Sequence, residues 1–94
     1  MNALKHVDAH MDDLISDLQK LIQQPSVSAK NEGIEQCAKL VQKLLKSSGL
    51  KSEILRLKRG VAPIVFAEIK SKSNPDKTLM FYNHYDVQPA EPFD

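Results

Sequence analysis

Residues 78–89 read Thr-Leu-Met-Phe-Tyr-Asn-His-Tyr-Asp-Val-Gln-Pro. The first five, Thr78 to Tyr82, are β-branched, aliphatic or aromatic, a composition suited to a strand apolar enough for the middle of a sheet. The residues that follow carry chemistry. His84 and Asp86 stand where this apolar run gives way to a loop containing Pro89. In extended backbone, side chains two residues apart point to the same side and lie roughly 6–7 Å apart along the chain. Such a strand brings both groups to the end of a sheet, where α/β proteins commonly build their sites.

Upstream, Ser71 to Lys77 contains Asn74-Pro75-Asp76. Proline fixes one dihedral there, and its Asn and Asp neighbours tolerate turn geometry. Two further strands precede the turn: Pro63 to Ile69, with Ile64, Val65 and Phe66, and Ser52 to Leu57, around Ile54. The turn predicts that the second and third strands form an antiparallel hairpin.

Before Gly49 the period changes to that of helices. Leu4, Val7, Met11, Leu14, Ile15, Leu18, Leu21 and Ile22 recur at three- and four-residue steps, one face of a single long amphipathic helix. Pro25 ends it by disfavouring helical geometry in the residue before it. Pro25 to Asn31 is polar and small, suited to an ordered loop. Ile34, Cys37, Ala38, Val41, Leu44 and Leu45 mark a second helix, with Asn31 as its expected cap. Gly49 is placed to close that helix in left-handed conformation. The predicted fold class is α/β, two amphipathic helices followed by three strands, without internal repeats.

Composition narrows the function classes. With 41% hydrophobic and 27% charged residues among 94, the chain reads as globular rather than disordered. Thirteen basic and twelve acidic residues leave a formal charge of +1, so no net field favours nucleic acid or an anionic membrane. The single cysteine, Cys37, excludes an intrachain disulfide framework and fits a reducing compartment. Residues 1–13 carry Lys5, Asp8, Asp12 and Asp13 without an apolar run, and no stretch approaches the roughly 20 apolar residues of a membrane span. The expectation is a cytoplasmic protein.

The pattern His-x-Asp occurs three times: His6-Val7-Asp8, His10-Met11-Asp12 and His84-Tyr85-Asp86. His6 and His10 are four apart on the first helix, close enough to share an ion, yet they form no His-Glu-x-x-His pattern and show no third ligand. They read as solvated. His84 is different in context. Neutral imidazole is a good zinc ligand, and a neighbouring carboxylate holds the ring's orientation; the alternative is a strand-end histidine hydrogen-bonded in a turn.

The surrounding residues sharpen this. Tyr82-Asn83-His84-Tyr85-Asp86-Val87-Gln88-Pro89 closely resembles the first metal motif of the metallopeptidase family that includes carnosinases, cytosolic dipeptidases, aminoacylase and succinyl-diaminopimelate desuccinylase. The Val-Gln-Pro ending looks most like the dipeptidase and carnosinase branch. The likeness extends back through Leu21-Ile22-Gln23-Gln24-Pro25-Ser26-Val27-Ser28 and over nearly the whole chain. It implies that residues 1–94 are the amino-terminal part of a mixed-sheet zinc-peptidase catalytic domain, that His84 ligates one of two zinc ions, and that Asp86 is a catalytic-centre residue. Manganese and cobalt also suit such ligands. The implied reaction is hydrolysis of a peptide or N-acyl amino-acid substrate by metal-activated water, and a homodimer is an assembly the resemblance allows.

Two departures stand out. The family often has glycine where this chain has Asn83, although asparagine tolerates unusual backbone better than most residues. The family's remaining ligands, general base and smaller domain would lie beyond Asp94, so these residues alone are expected to be inactive. The other reading is a non-catalytic α/β interaction module or remnant. Cys37 reads as a buried small hydrophobe, Ser26 and Ser28 lack a partner base, and Lys51, Arg56, Lys58 and Arg59 read as a solvated basic run.

Overall fold

Asn2 starts the first helix: its side-chain oxygen accepts the Lys5 backbone N–H at 2.8 Å, satisfying a donor that has no partner within the first turn. The computed structural model describes residues 2–89. Helix α1 spans Ala3–Ala9 and helix α2 spans Met11–Gln23. The expected single helix is therefore broken at His10, whose φ is −119° and ψ 18°. A local side-chain contact accompanies the break. The His6 carbonyl receives the His10 backbone N–H at 3.1 Å and also faces the His10 ring Nδ1 at 2.9 Å, a side-chain contact of the kind that loosens a helical ladder. Helix α2 stops at Gln24, with ψ 119°, directly before Pro25 as expected.

The connector is ordered. Val27 and Glu32 exchange backbone hydrogen bonds of 2.8 and 3.0 Å around a single 3-10 turn, Ser28–Lys30. Asn31 closes that turn in left-handed conformation, with φ of 50°. It does not cap the following helix. Gly33 holds the cap position, with φ of 73°, and glycine is required there because a Cβ would stand 1.9 Å from the Pro25 carbonyl oxygen. Helix α3 then runs Ile34–Ser47 and ends in a Schellman motif. There the Leu50 N–H reaches the Leu45 carbonyl and the Gly49 N–H reaches Lys46, both at 3.0 Å, with Gly49 at φ of 89°.

Strands β1, Lys51–Leu55, and β2, Ile64–Glu68, pair antiparallel with Lys51 opposite Glu68 and Leu55 opposite Ile64. Ser52 and Ile54 turn to one face with Val65 and Ala67, and α3 packs there. Buried Ser52 donates to the Gln42 carbonyl while the Gln42 side chain donates back to the Ser52 carbonyl, tying helix to strand. Ile34, Cys37 and Ala38 are the buried apolar residues of this core. Full burial of an isoleucine is worth about 1.5–3 kcal/mol, so Ile34 with the smaller Cys37 and Ala38 makes a small store.

The Asn74-Pro75-Asp76 turn forms, closed by Lys77 N–H to the Asn74 carbonyl at 3.1 Å. The hairpin expected across it does not. Thr78–Tyr82 carries no strand pairing among the described residues, and Leu79, Met80, Phe81 and Tyr82 are 79–81% exposed. A strand exists only through a partner's backbone, and β2 pairs with β1 instead. The described residues thus form a small α/β chain with a two-stranded antiparallel sheet. Among them, no helix is long and apolar enough to cross a membrane.

Candidate functional site

Tyr85 anchors the segment that carries His84 and Asp86. Its hydroxyl donates to the carbonyl of Pro63, a buried residue just before β2, and its own carbonyl lies 3.7 Å from the buried Cys37 Sγ on α3. Burial, followed by the nearby Cys37, Glu35 and Asp86, raises the phenol above its usual range, so it stays a neutral donor. Two residues on, the Val87 N–H donates to the Ser26 carbonyl at 2.8 Å, and Val87 forms a parallel bridge with Val27. The connector between α2 and α3 thereby holds the segment from one side, and α3 with the β2 approach holds it from the other.

With Tyr85 turned inward, its neighbours share the outer side. His84 Nδ1 lies 3.0 Å from Asp86 Oδ1. The imidazole is 73% exposed and the carboxylate 34%. The Asp86 carboxyl is held below the usual carboxylate range, first by the Ser28 hydroxyl of the connector and then by His84. At neutral pH it is therefore an acceptor. In neutral His84 the proton then resides on Nδ1, and Nε2 presents its lone pair outward.

The two side chains line an open cleft of about 410 Å³ together with Ser28, Ala29, Val87, Gln88 and Pro89. Imidazole nitrogen and carboxylate oxygen are donors that zinc accepts, and a carboxylate on the far ring nitrogen is the arrangement that orients ligating histidines. The donor type fits. The number falls short, because no group of three His, Cys, Asp or Glu gathers among the described residues and a catalytic zinc takes three protein ligands.

Sequence reasoning placed His84 and Asp86 together, and they are. It did not assign Tyr85 or Ser28. Tyr85 carried a signal, since the alternation that aligns His84 with Asp86 sends the residue between them inward. Ser28 carried none, because its place depends on how the connector folds. Ser26, beside it, is buried with its Oγ unpartnered among the described residues. His6 and His10 lie on α1 and at its end, both exposed and apart from the cleft lining.

A second cleft, near the start of α3, is lined by Glu35, Arg56, Lys58 and Arg59 among others. The Arg56 guanidinium grips the Glu35 carboxylate with two bonds of 2.6 and 2.8 Å and holds that carboxyl below its usual range. This arginine is occupied by an ion pair.

Comparison with protein-family models, curated proteins and solved structures finds no match.

Proposed function

We propose that this chain is the amino-terminal part of the catalytic domain of a metal-dependent hydrolase that cleaves peptide or N-acyl amino-acid bonds, with His84 as a metal ligand through Nε2 and Asp86 as the residue that holds it. The observation that carries the reading is the 3.0 Å contact between His84 Nδ1 and Asp86 Oδ1 on an exposed edge of an open cleft. It leaves one imidazole nitrogen outward in the tautomer a metal needs. Zinc, when bound, would lower the pKa of a water toward neutrality and polarise the scissile carbonyl. The chain's own contribution is to fix the ring: the Asp86 carboxylate keeps the proton on Nδ1, the Ser28 hydroxyl lowers the Asp86 carboxyl further, and Tyr85 and Val87 hold the backbone beneath.

The reading also accounts for Leu79 to Tyr82. Four consecutive apolar residues at 79–81% exposure fit a strand whose partners lie elsewhere in a larger domain. The remaining ligands and the general base would come from the same source. The 94 residues alone would then be catalytically silent.

The test is hydrolysis of dipeptides and N-acyl amino acids by the full protein that contains this chain. The expected result is activity removed by a chelator, restored by zinc, and lowered by at least about 100-fold in His84→Ala, since even outer-shell partners of a metal cost about 10–100-fold. Undiminished turnover in His84→Ala would overturn the assignment.

A further inference from the structure

Two apolar surfaces lie open among the described residues, and their charges are opposite. On α2, Met11, Leu14, Ile15, Leu18 and Ile22 are 42–73% exposed and form one stripe of the helix. Asp12 stands three residues before Ile15, and Asp17 three after Leu14, so the two carboxylates flank that stripe on opposite sides. The other surface is Leu79 to Tyr82, 79–81% exposed. Lys77 precedes it directly, and Lys70 and Lys72 stand before the Asn74-Pro75-Asp76 turn, all three exposed. Helix α2 carries three aspartates and one lysine, whereas residues 69–82 carry three lysines and one aspartate. Asp12 and these three lysines make no ion pair among the described residues, and Asp17 has only a 3.8 Å exposed contact with Lys20.

The two surfaces also match in length. From Met11 to Ile22 the helix rises about 17 Å, and Lys77 to Tyr82 in extended backbone spans about 17 Å. Extended backbone turns Leu79 and Phe81 to one side, where an apolar stripe can receive them. Within one copy the surfaces do not meet, since both are open. We propose that a second copy of this chain covers them, the Leu79–Tyr82 segment of each copy lying along the α2 stripe of the other with its lysines beside Asp12 and Asp17. Pairing like with like would set aspartate against aspartate and lysine against lysine, which is costly. The reciprocal contact repeats under a two-fold axis and leaves neither surface unmatched, so the assembly closes as a dimer. Neither surface lines the cleft at His84, so the contact is independent of the metal reading. In a longer protein whose sheet takes up Thr78–Tyr82, the second copy gives way to it.

The experiment is sedimentation equilibrium on the chain and on two charge variants. One variant carries Asp12→Lys with Asp17→Lys, the other Lys70→Glu, Lys72→Glu and Lys77→Glu. Each copy offers fewer residues than the roughly 20–30 a side of a tight interface, so the expected wild-type dimer is weak, in the micromolar range. Each variant alone should dimerise at least about tenfold more weakly. A one-to-one mixture should restore the wild-type affinity as a heterodimer, because both reciprocal contacts again join opposite charges. On the unaltered chain, raising salt from about 0.05 M to about 1 M should weaken the dimer at least about threefold. That series needs no variant, so it decides the matter even where a substituted chain fails to fold. A monomeric wild type, variants that associate as the wild type does, a mixture no tighter than its components, or a dimer indifferent to salt would each overturn the proposal.

Discussion

Tyr85 illustrates how a single residue serves the site without taking part in its chemistry. Its hydroxyl holds the Pro63 carbonyl, and through that contact the backbone between His84 and Asp86 is fixed. Tyr85→Phe should cost about 1 kcal/mol in a urea melt, the usual worth of a hydrogen bond, while circular dichroism stays unchanged; an unaltered midpoint would remove Tyr85 from this role. Asp86 makes a prediction with a sign. Its carboxyl titrates below the ordinary range in the folded chain, so its stabilising contact is present above the ordinary aspartate value of about 3.9 and is lost as pH falls through the lowered one. Carboxyl-carbon NMR should place the Asp86 midpoint below the ordinary aspartate value of about 3.9, and Ser28→Ala should move it upward. Gly33 is the third case. A side chain there meets the Pro25 carbonyl in addition to a left-handed φ, so Gly33→Ala should destabilise by more than the roughly 1–3 kcal/mol of backbone strain alone.

Elements that depend on local chemistry were legible in the sequence, and those that depend on a distant partner were not. Pro25 ends α2 and Gly49 closes α3, because each acts through its own dihedrals. Gly49→Ala should therefore cost roughly 1–2 kcal/mol, the penalty for a Cβ in left-handed conformation, although nothing crowds the position. Both strands of the sheet were placed to within two residues at each end. The pairing was not, since composition marks Thr78–Tyr82 as strand-forming without saying what it pairs with. Asn31 and Gly33 both adopt left-handed backbone, and the 3-10 turn that Asn31 closes before α3 starts at Gly33 has no signature in composition. The break at His10 was hidden as well: the apolar spacing runs through it, and the ring contact with the His6 carbonyl that accompanies it leaves no mark on that spacing. At the site, the period of two brought His84 and Asp86 together, whereas Ser28 arrives through the fold of the connector.

For the molecule as a whole, the balance between a small core and a large apolar surface is the governing fact. Ile34, Cys37 and Ala38 are buried, while Leu79, Met80, Phe81 and Tyr82 stand open beside a short sheet, and α2 leaves Met11, Leu14, Ile15, Leu18 and Ile22 exposed. Exposed strand-forming segments of this kind associate. Sedimentation should find concentration-dependent self-association of the chain, reduced by Leu79→Lys with Phe81→Lys and with helix content retained. A strictly monomeric wild type at high concentration would contradict this. The proposed metal ligand is one nitrogen, His84 Nε2, and nitrogen-15 NMR of the imidazole rings at pH 8 during a zinc titration reads it directly. His84 should carry its proton on Nδ1, zinc should shift its Nε2, and Asp86→Ala should abolish the tautomer preference. A proton on Nε2, or an Nε2 indifferent to zinc, would contradict the ligand assignment.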